Sequence, residues 1–359
     1  MISSKKIIKD DVAMVAGGID ACSFSGAKIL ILGANGLVGS YIAYFFDYLN
    51  EAMGAGIEMD LVIKNDIVKA SRIYDLVGKI GVSLINQDVA ESCVYSKSYD
   101  FIVHAAGYSA PSAFLADPIK TIDVNYIGMK SVLESCLKNG SHPRILYLSS
   151  SEIYGSPTVE NFPTPETYLG WSSVTNNRAC YIESKRLTEV LSLNSNQIHG
   201  AQVKIARLAL AYGPGMGFDD RRVIGQFMAK AYENKIIDMV DDGRDLRCFC
   251  YLSDALRELI YILLFAKDTI YNVGSAEEEL SIKDVAMMVG SIMGASIVVG
   301  TGKTDIVKGA PSRVSLDLRK IEAESGFKPA VRMQEGLERT IKWNLSRIKE
   351  GLLTPEKSL

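Results

Sequence analysis

The stretch Ala27-Lys-Ile-Leu-Ile-Leu-Gly-Ala-Asn-Gly-Leu-Val-Gly39 decides the fold of this chain. Its first six residues include four large aliphatic side chains and predict a buried β-strand, and residues 40–50 continue as an apolar-rich helix. The glycine-rich turn between them would let the backbone approach a diphosphate at the helix N-terminus. We therefore predict a dinucleotide-binding unit, with a plain strand-to-helix turn as the alternative. The Gly-x-x-Gly-x-x-Gly spacing departs from the simplest Gly-x-Gly-x-x-Gly fingerprint.

Strands and helices alternate through the segment that follows. Strands are predicted at residues 61–65, 82–89, 101–107 and 144–148, and a long helix at 117–139. This alternation predicts an α/β fold built on a Rossmann-like, doubly wound parallel sheet. The C-terminal third, with helical patterns at 281–293 and 333–347, is predicted to form a smaller α/β substrate domain.

These patterns divide the chain into four predicted regions. Residues 1–25 form an N-terminal extension with one short helix, and residues 351–359 form a loose tail. The dinucleotide-binding Rossmann domain covers 26–206 together with about 247–274, and the substrate-binding domain covers 207–246 and 275–350.

Composition excludes several classes of function. With 48% hydrophobic and 23% charged residues among 359, the chain is typical of a globular protein. A net charge of −3 gives no basic surface for nucleic acid, and no apolar run reaches the roughly 20 residues of a membrane span. The six cysteines lack the spacing of a metal site or a disulfide framework. We predict no nucleic-acid partner, no membrane association, no bound metal and a cytoplasmic location.

Residues at the ends of the next three predicted strands are candidates for contacting the dinucleotide. Asp66 follows the second strand, where a carboxylate would bond the adenosine ribose and favour NAD over NADP. Lys64 and Asn65 compete for that position, and Lys64 could instead meet a 2′-phosphate. Asp88 could face the adenine, and the small residues at 105–107 would let backbone pass close to the cofactor.

A second constellation lies after the fifth predicted strand and in the next helix. Tyr181 and Lys185 stand one helical turn apart on the same face. An ammonium near a phenol lowers the pKa of the phenol, which could then exchange a proton near neutrality. The run Ser149-Ser-Ser-Glu152 ends a strand, where ligands of such folds bind. An ordinary exposed helix and a polar turn are the alternatives, and the joint occurrence disfavours both.

Eight motifs occur in an order that carries a family resemblance. They are Gly33-x-x-Gly36-x-x-Gly39, His104-Ala-Ala-Gly107, Asp117-Pro-Ile-Lys-Thr with Asn125, Ser150-Ser-Glu-Ile-Tyr-Gly155, Tyr181-x-x-x-Lys185, Tyr212-Gly-Pro214, Arg247-Cys-Phe-Cys-Tyr-Leu-Ser-Asp254 and Tyr271-Asn-Val-Gly274. From about residue 26 to 345 the chain resembles extended short-chain dehydrogenases/reductases, in particular NAD-dependent nucleotide-sugar epimerases/dehydratases. Residues 178–189 and 218–223 are most similar to UDP-glucuronate decarboxylases.

The resemblance implies a tightly held NAD, a nucleotide-diphosphate sugar as substrate and a role in making surface-polysaccharide sugars. It also implies a homodimer formed by the helices around residues 120–137 and 180–195. Tyr181 would remove the proton from the sugar 4-hydroxyl while the C4 hydride passes to NAD. Lys185 would lower the Tyr181 pKa and hold the nicotinamide ribose, and Ser150 would bond the reacting oxygen.

The resemblance also implies which residues contact each ligand. Those at NAD are Gly33, Asn35, Gly36, Leu37, Val38, Gly39, Asp66, Asp88, Val89, Ala105, Ala106, Gly107, Asn125 and Lys185. Those at the sugar nucleotide are Arg247, Arg313, Tyr108, Ser109 and Val223, where the two arginines would grip the diphosphate.

Ser151 and Glu152 bear on the step that follows oxidation at C4. Dehydratases and decarboxylases of the family carry a glutamate here that acts near C5, whereas 4-epimerases need none; a solvated or capping Glu152 is the alternative. Decarboxylases also carry an Arg-Lys-Pro that cradles the sugar carboxylate, and residues 311–320 contain no such tripeptide. Leu210 replaces an asparagine that commonly bonds the substrate phosphate, and leucine cannot donate that bond.

A 4,6-dehydratase is therefore the leading expectation, with a UDP-glucuronate-type decarboxylase or a sugar-nucleotide epimerase as the alternative. A net NAD(P)-dependent oxidoreductase on a non-sugar substrate is a further alternative, disfavoured by the two candidate diphosphate clamps. A non-catalytic dinucleotide sensor is disfavoured because the Tyr181/Lys185 pair is intact.

Overall fold

A computed structural model of the chain describes residues 3–302 and 310–353. The α-helices of these residues are α1 (Ser4–Ala16), α2 (Leu37–Met53), α3 (Pro111–Ala116), α4 (Pro118–Asn139), α5 (Ala179–His199), α6 (Val223–Asn234), α7 (Leu252–Phe265), α8 (Ile282–Met293), α9 (Arg319–Ser325) and α10 (Met333–Lys349). The strands are β1 (Lys28–Leu32), β2 (Glu58–Ile63), β3 (Val82–Asn86), β4 (Phe101–His104), β5 (Arg144–Ser150), β6 (Gln202–Leu208), β7 (Leu210–Tyr212), β8 (Ile236–Asp238), β9 (Leu246–Tyr251), β10 (Ile270–Val273), β11 (Glu279–Ser281), β12 (Ser296–Val298) and β13 (Arg313–Val314).

β1 lies inside a seven-stranded parallel sheet with the order β10-β6-β5-β4-β1-β2-β3. Because successive side chains of a strand point to opposite faces, β1 supplies two apolar layers. Ile29 and Ile31 pack in the layer that contains α2 and α7, and Leu30 and Leu32 pack in the layer that contains α4. Helices therefore cover both faces, and the predicted Rossmann-like, doubly wound sheet is confirmed.

The winding direction of the sheet reverses at β1. β2 and β3 extend the sheet on one side, and β4, β5, β6 and β10 extend it on the other. The carboxyl ends of β1 and β4 therefore border a crevice of the kind in which open α/β sheets bind ligands. α2 begins directly after Gly36, so its N-terminus lies at this crevice.

A smaller group of strands forms the second part of the molecule. β11, β9 and β13 form one sheet in which β7 also pairs with β9, and β8 pairs with β12. β9 differs from expectation, since residues from about 247 were predicted to belong to the Rossmann domain. Its partners β7, β11 and β13 place it in the smaller sheet, whereas β10 returns to the large one. The chain thus crosses between the two parts at the end of β9.

α1 packs into the body of the protein. It contacts α2, α7 and α10, and its apolar side chains belong to the core layer of α2. Asp11 of α1 is fully buried and accepts hydrogen bonds from Tyr41 at 2.8 Å and Tyr251 at 2.7 Å. It also pairs with Arg339 of α10. The segment predicted as an N-terminal extension therefore joins α2, β9 and α10.

Several element boundaries differ from the predicted ones. β2 ends at Ile63, two residues before its predicted end, β3 ends at Asn86, and β5 continues to Ser150. Residues 354–359 of the predicted tail lie outside the described residues. Within residues 3–302 and 310–353, no helix is long and apolar enough to span a membrane.

Candidate active site

The three glycines of the opening stretch make contacts that leave no room for side chains. Gly33 has a φ of +76°, and a Cβ there would lie 2.6 Å from the Cα of Ala106. A Cβ on Gly36 would lie 3.0 Å from the carbonyl oxygen of Gly33, and one on Gly39 would overlap that oxygen. The turn is therefore folded tightly on itself and against residues 105–106, just after β4.

The N-terminus of α2 offers backbone N–H groups at the surface of this turn. Leu37 and Val38 open the helix, whose first turn has no side-chain cap and no acidic residue. Uncapped N–H groups and the positive end of the helix dipole suit a diphosphate. The side chain of Asn35 is already engaged, because its Oδ1 accepts from the backbone N–H of Arg72 at 2.9 Å.

Asn125 supplies a second feature that suits a dinucleotide. Its side-chain Nδ2 donates to Thr121 at 3.1 Å and to Ser184 at 2.9 Å, whereas its Oδ1 has no hydrogen-bond partner among the described residues. A Cβ on Gly107 would lie 3.4 Å from this oxygen and 3.5 Å from the Lys185 Nζ. Gly107 therefore leaves open a buried acceptor beside an ammonium, a pair that fits the hydroxyl groups of a nucleotide ribose.

Two lysines, Lys64 and Lys120, pair with Asp88 in the region that follows β2. Lys64 directly follows β2, and its Nζ lies 3.5 Å from the Asp88 carboxylate and 3.4 Å from the Tyr108 hydroxyl. Asp88 also pairs with Lys120 at 2.6 Å. Asp66 is exposed and accepts from the side chain of Asn86. The structure thus brings together Asp88, predicted for the cofactor, and Tyr108, predicted for the substrate.

Two further predicted contact residues lie close to β4 in space or sequence. Val89 is buried in the core layer of α4, and its carbonyl oxygen lies beside Gly128. Ser109 is exposed in the segment between β4 and α3. Core packing therefore accounts for the buried position of the Val89 side chain.

Tyr181 lies buried on α5 with its ring stacked on Phe114, at 4.9 Å between centroids and 10° between planes. Burial raises the pKa of Tyr181 to about 12, and the nearby Ser150 side chain opposes that rise. The expected lowering of the Tyr181 pKa is wrong in direction, because loss of hydration outweighs the favourable contacts.

Lys185 is also buried, and its Nζ donates to the carbonyl oxygen of Leu148 at 2.7 Å. Burial lowers the pKa of Lys185 to about 7, against the opposing charge of Glu189. Glu189 pairs with Arg207 at 2.7 Å and accepts from Ser149 at 2.6 Å. A buried polar network beneath the site therefore sets the position of the lysine.

Glu152 forms a two-point ion pair with Arg178, the residue before α5. The Arg178 Nη2 lies 2.6 Å from Oε1 and its Nε lies 3.2 Å from Oε2. The backbone N–H of Glu152 donates to the Ser150 hydroxyl at 3.2 Å, and Ser151 opens the short 3-10 turn that carries Glu152. The guanidinium of Arg178 lies 5.2 Å from the ring centroid of Phe114. Ser150, Glu152 and Tyr181 thus belong to one connected group.

The two predicted diphosphate clamps lie on adjacent strands of the smaller sheet. Arg247 on β9 is in register with Val314, the residue after Arg313 on β13. Arg247 pairs with Asp245 at 3.1 Å, and Arg313 forms a two-point pair with Glu279 at 2.6 and 3.0 Å. Each guanidinium is therefore paired with a carboxylate, and a diphosphate would have to displace that carboxylate in order to bind. Val223 opens α6 in the same part of the molecule.

Two arginines of the site were not identified from the sequence. Arg178 begins the range 178–189 that resembles UDP-glucuronate decarboxylases, but its partner Glu152 is 26 residues away. Arg72 lies in a loop without a motif; it donates to Gly215 at 2.6 Å and to the backbone carbonyl of Asn35 at 3.2 Å. Arg72 therefore ties the glycine-rich turn to the segment that leads into α6, a link that no local pattern reveals.

Comparison with known proteins assigns the family. Residues 29–274 match the model of the NAD dependent epimerase/dehydratase family. The chain belongs to this family. NAD is accordingly its cofactor, and the glycine-rich turn, the uncapped α2 and the open Asn125 oxygen fit that group.

Individual members of the NAD dependent epimerase/dehydratase family are similar over most of the chain. UDP-glucuronic acid decarboxylase 1 of Xenopus tropicalis is 30% identical over 317 residues, covering 88% of this chain and 71% of that protein. UDP-glucuronic acid decarboxylase 3 of Arabidopsis thaliana is 30% identical over 312 residues, covering 86% of each. The fold is similar to that of dTDP-glucose 4,6-dehydratase from Streptomyces venezuelae, with a TM-score of 0.77, 22% identity and coverage of 91% and 100%.

Proposed function

We propose that this enzyme converts a nucleotide-diphosphate sugar through a 4-keto intermediate and that its net reaction is 4,6-dehydration, in the biosynthesis of surface-polysaccharide sugars. The observation that carries the proposal is the grouping of Ser150, Glu152 and Tyr181 next to Lys185. Tyr181, which exchanges a proton with the 4-hydroxyl, and Glu152, whose carboxylate acts at C5, then lie on the same side of the cleft. The glycine-rich turn, the N-terminus of α2 and Asn125 would hold NAD, which would supply the hydride chemistry at C4 and C6.

The residues of the chain account for the proton transfers. Tyr181 takes the proton of the 4-hydroxyl, and the Ser150 hydroxyl orients the same oxygen by a hydrogen bond. The ketone at C4 acidifies the C5 proton, which Glu152 removes. Glu152 then passes that proton to the C6 hydroxyl, which leaves as water. After hydride addition at C6, Glu152 delivers a proton drawn from solvent to C5, and Tyr181 releases the 4-hydroxyl proton to solvent. Arg247 and Arg313 hold the diphosphate through paired N–H donors.

The second candidate is decarboxylation of UDP-glucuronate. Two similar proteins named for that activity, at 30% identity, favour it. The missing Arg-Lys-Pro opposes it, because Val314 and Ser315 occupy the region after Arg313 and neither side chain can bind a carboxylate as a cation does. Both candidates share oxidation at C4 and differ in the bond broken at C5 or C6.

Product mass distinguishes the candidates. Purified enzyme is incubated with dTDP-glucose, UDP-glucose, GDP-mannose, UDP-N-acetylglucosamine and UDP-glucuronate, and the nucleotide products are analysed by mass spectrometry. Loss of water supports dehydration, loss of carbon dioxide supports decarboxylation, and an unchanged mass with a new sugar supports epimerisation. Absence of turnover with every donor would overturn the proposal.

Replacing Glu152 tests its assigned step. In Glu152→Gln we expect oxidation at C4, seen as NADH absorbance in a single turnover, while product formation falls at least about 100-fold. Glu160→Gln is the matched control, since Glu160 is an exposed carboxylate of the following loop. Product formation by Glu152→Gln at the wild-type rate would remove Glu152 from the mechanism.

A homodimer formed by α4 and α5 is part of the proposal. The two helices pack side by side and expose Ile119, Ile122, Leu187, Val190 and Leu193. Leu187 and Val190 are 45% and 54% exposed, on positions three residues apart that share a helix face. Apolar side chains on two neighbouring helices are suited to packing against the same surface of a second copy.

A further inference from the structure

The Glu152–Arg178 pair is asymmetric in its exposure. The Arg178 side chain is 4% exposed, whereas that of Glu152 is 24% exposed. The guanidinium is held by Phe114 on one element and by the carboxylate on another. A ligand in the cleft can therefore reach the carboxylate far more readily than the guanidinium. Arg178 is placed to act on the reaction through Glu152.

The pair is also coupled to Tyr181. Phe114 contacts both the Arg178 guanidinium and the Tyr181 ring. Among the charges that act on the Tyr181 pKa, Glu152 raises it and Arg178 lowers it, after the larger effects of burial and the Ser150 side chain. The two opposing charges therefore partly cancel at the phenol.

We propose that Arg178 is a positioning residue that aims the Glu152 carboxylate at C5 and offsets its negative charge at Tyr181. The inference rests on the proposed function, because it concerns the two groups assigned to C4 and C5. It explains how one cleft can hold a carboxylate base beside a phenol that must itself lose a proton. Two parallel N–H donors fix the plane of the carboxylate, which a single charge would leave free to rotate.

Other charged groups face the same pair and set the background of any pH effect. Arg222 acts on Tyr181, Arg247 is influenced by both Glu152 and Arg178, and the Lys185 Nζ lies 5.8 Å from the Tyr181 ring centroid. None of these is altered when Arg178 is replaced. Their contributions are therefore common to all variants of the comparison.

A double-mutant cycle with pH profiles tests the inference. The rate of C4 oxidation is measured as NADH absorbance in single turnovers for wild type, Arg178→Met, Glu152→Gln and the double variant. We expect the profile of Arg178→Met to move about one unit to higher pH, because Glu152 is left unbalanced, and that of Glu152→Gln to move to lower pH. The double variant should lie close to wild type.

Two further variants separate positioning from stability. Arg178→Lys keeps the charge without the two-point geometry, so it should restore the pH profile while the C5 step stays slow and NADH accumulates. Arg339→Met removes the arginine partner of another buried carboxylate, Asp11, and should lower stability without moving the profile.

The outcomes distinguish this inference from the proposed function. If the wild type turns over substrate and the pH profile of Arg178→Met is not shifted, the inference alone is overturned. If Arg178→Met lowers the rate of C4 oxidation as much in the Glu152→Gln background as in wild type, and raises KM, the inference is overturned in favour of direct contact between Arg178 and substrate. Absence of turnover by the wild type would overturn the proposed function and the inference with it.

Discussion

Replacing Lys185 with methionine should stabilise the folded protein while abolishing its activity. Burial moves the pKa of Lys185 from 10.5 in a free side chain to about 7. Between these values the unfolded chain binds more protons than the folded protein, so the free energy of unfolding rises with pH. At about 1.4 kcal/mol per unit, keeping the lysine buried costs about 4 kcal/mol at pH 7 and about 2 kcal/mol at pH 9.

The lost hydrogen bond reduces the net gain. In Lys185→Met the carbonyl oxygen of Leu148 loses its donor at 2.7 Å, which costs about 1–2 kcal/mol at either pH. The variant should therefore exceed wild type by about 2–3 kcal/mol at pH 7, and the two should be nearly equal at pH 9. Methionine has nearly the length of the lysine stem and no charge, so the packing around Tyr147 and Tyr181 is retained.

Urea unfolding of both proteins at pH 7 and pH 9 measures this difference. Lys130→Met, at an exposed position of α4, is the matched control and should change stability by less than about 0.5 kcal/mol at both pH values. A Lys185→Met protein less stable than wild type at pH 7, or a difference that does not shrink at pH 9, would refute the reasoning. The lysine would then be held by contacts stronger than its desolvation.

Three further predictions concern the links around the site. Arg72→Met should leave the purified protein with less bound NAD, measured by absorbance of the released nucleotide, whereas the exposed Arg244→Met should not. Leu187→Glu combined with Val190→Glu should convert a dimer to a monomer in light scattering, and an unchanged mass would exclude this face as the interface. Asp11→Ala should lower the free energy of unfolding by about 3 kcal/mol because the buried Tyr41 and Tyr251 hydroxyls lose their acceptor; a loss below about 1 kcal/mol would contradict that.

Local patterns were sufficient for β1 to β5 of the large sheet, whereas no strand was predicted at β6 or β10. The aliphatic run of β1, the glycine spacing and the recurrence of strands predicted the first five because each signal lies within a few residues. Residues from about 247 were predicted to belong to the Rossmann domain, whereas β9 pairs in the smaller sheet, since a strand of six residues does not encode its partners. Its partners β7, β11 and β13 come from three separate parts of the chain.

Residue types and their spacing identified the candidate site residues, whereas the electrostatics of the site required the structure. The spacing of Tyr181 and Lys185 places both on one helix face, and the structure puts both in the buried group. Their pKa directions could not be obtained from spacing, because hydration is lost through packing against elements far away in sequence. Arg178 was visible, but its pairing with Glu152 depends on how the turn after β5 meets the start of α5.

The contacts of α1 have a consequence for how the protein is made. Asp11 and its partner Arg339 are 328 positions apart, and Ser4 and its partner Glu350 are 346 apart. α1 leaves the ribosome long before α10 is synthesised, so Asp11 and Ser4 lack these partners while α1 packs against α2 and the Rossmann sheet assembles. The polar contacts that join α1 to α10 are therefore among the last contacts to form between the described residues.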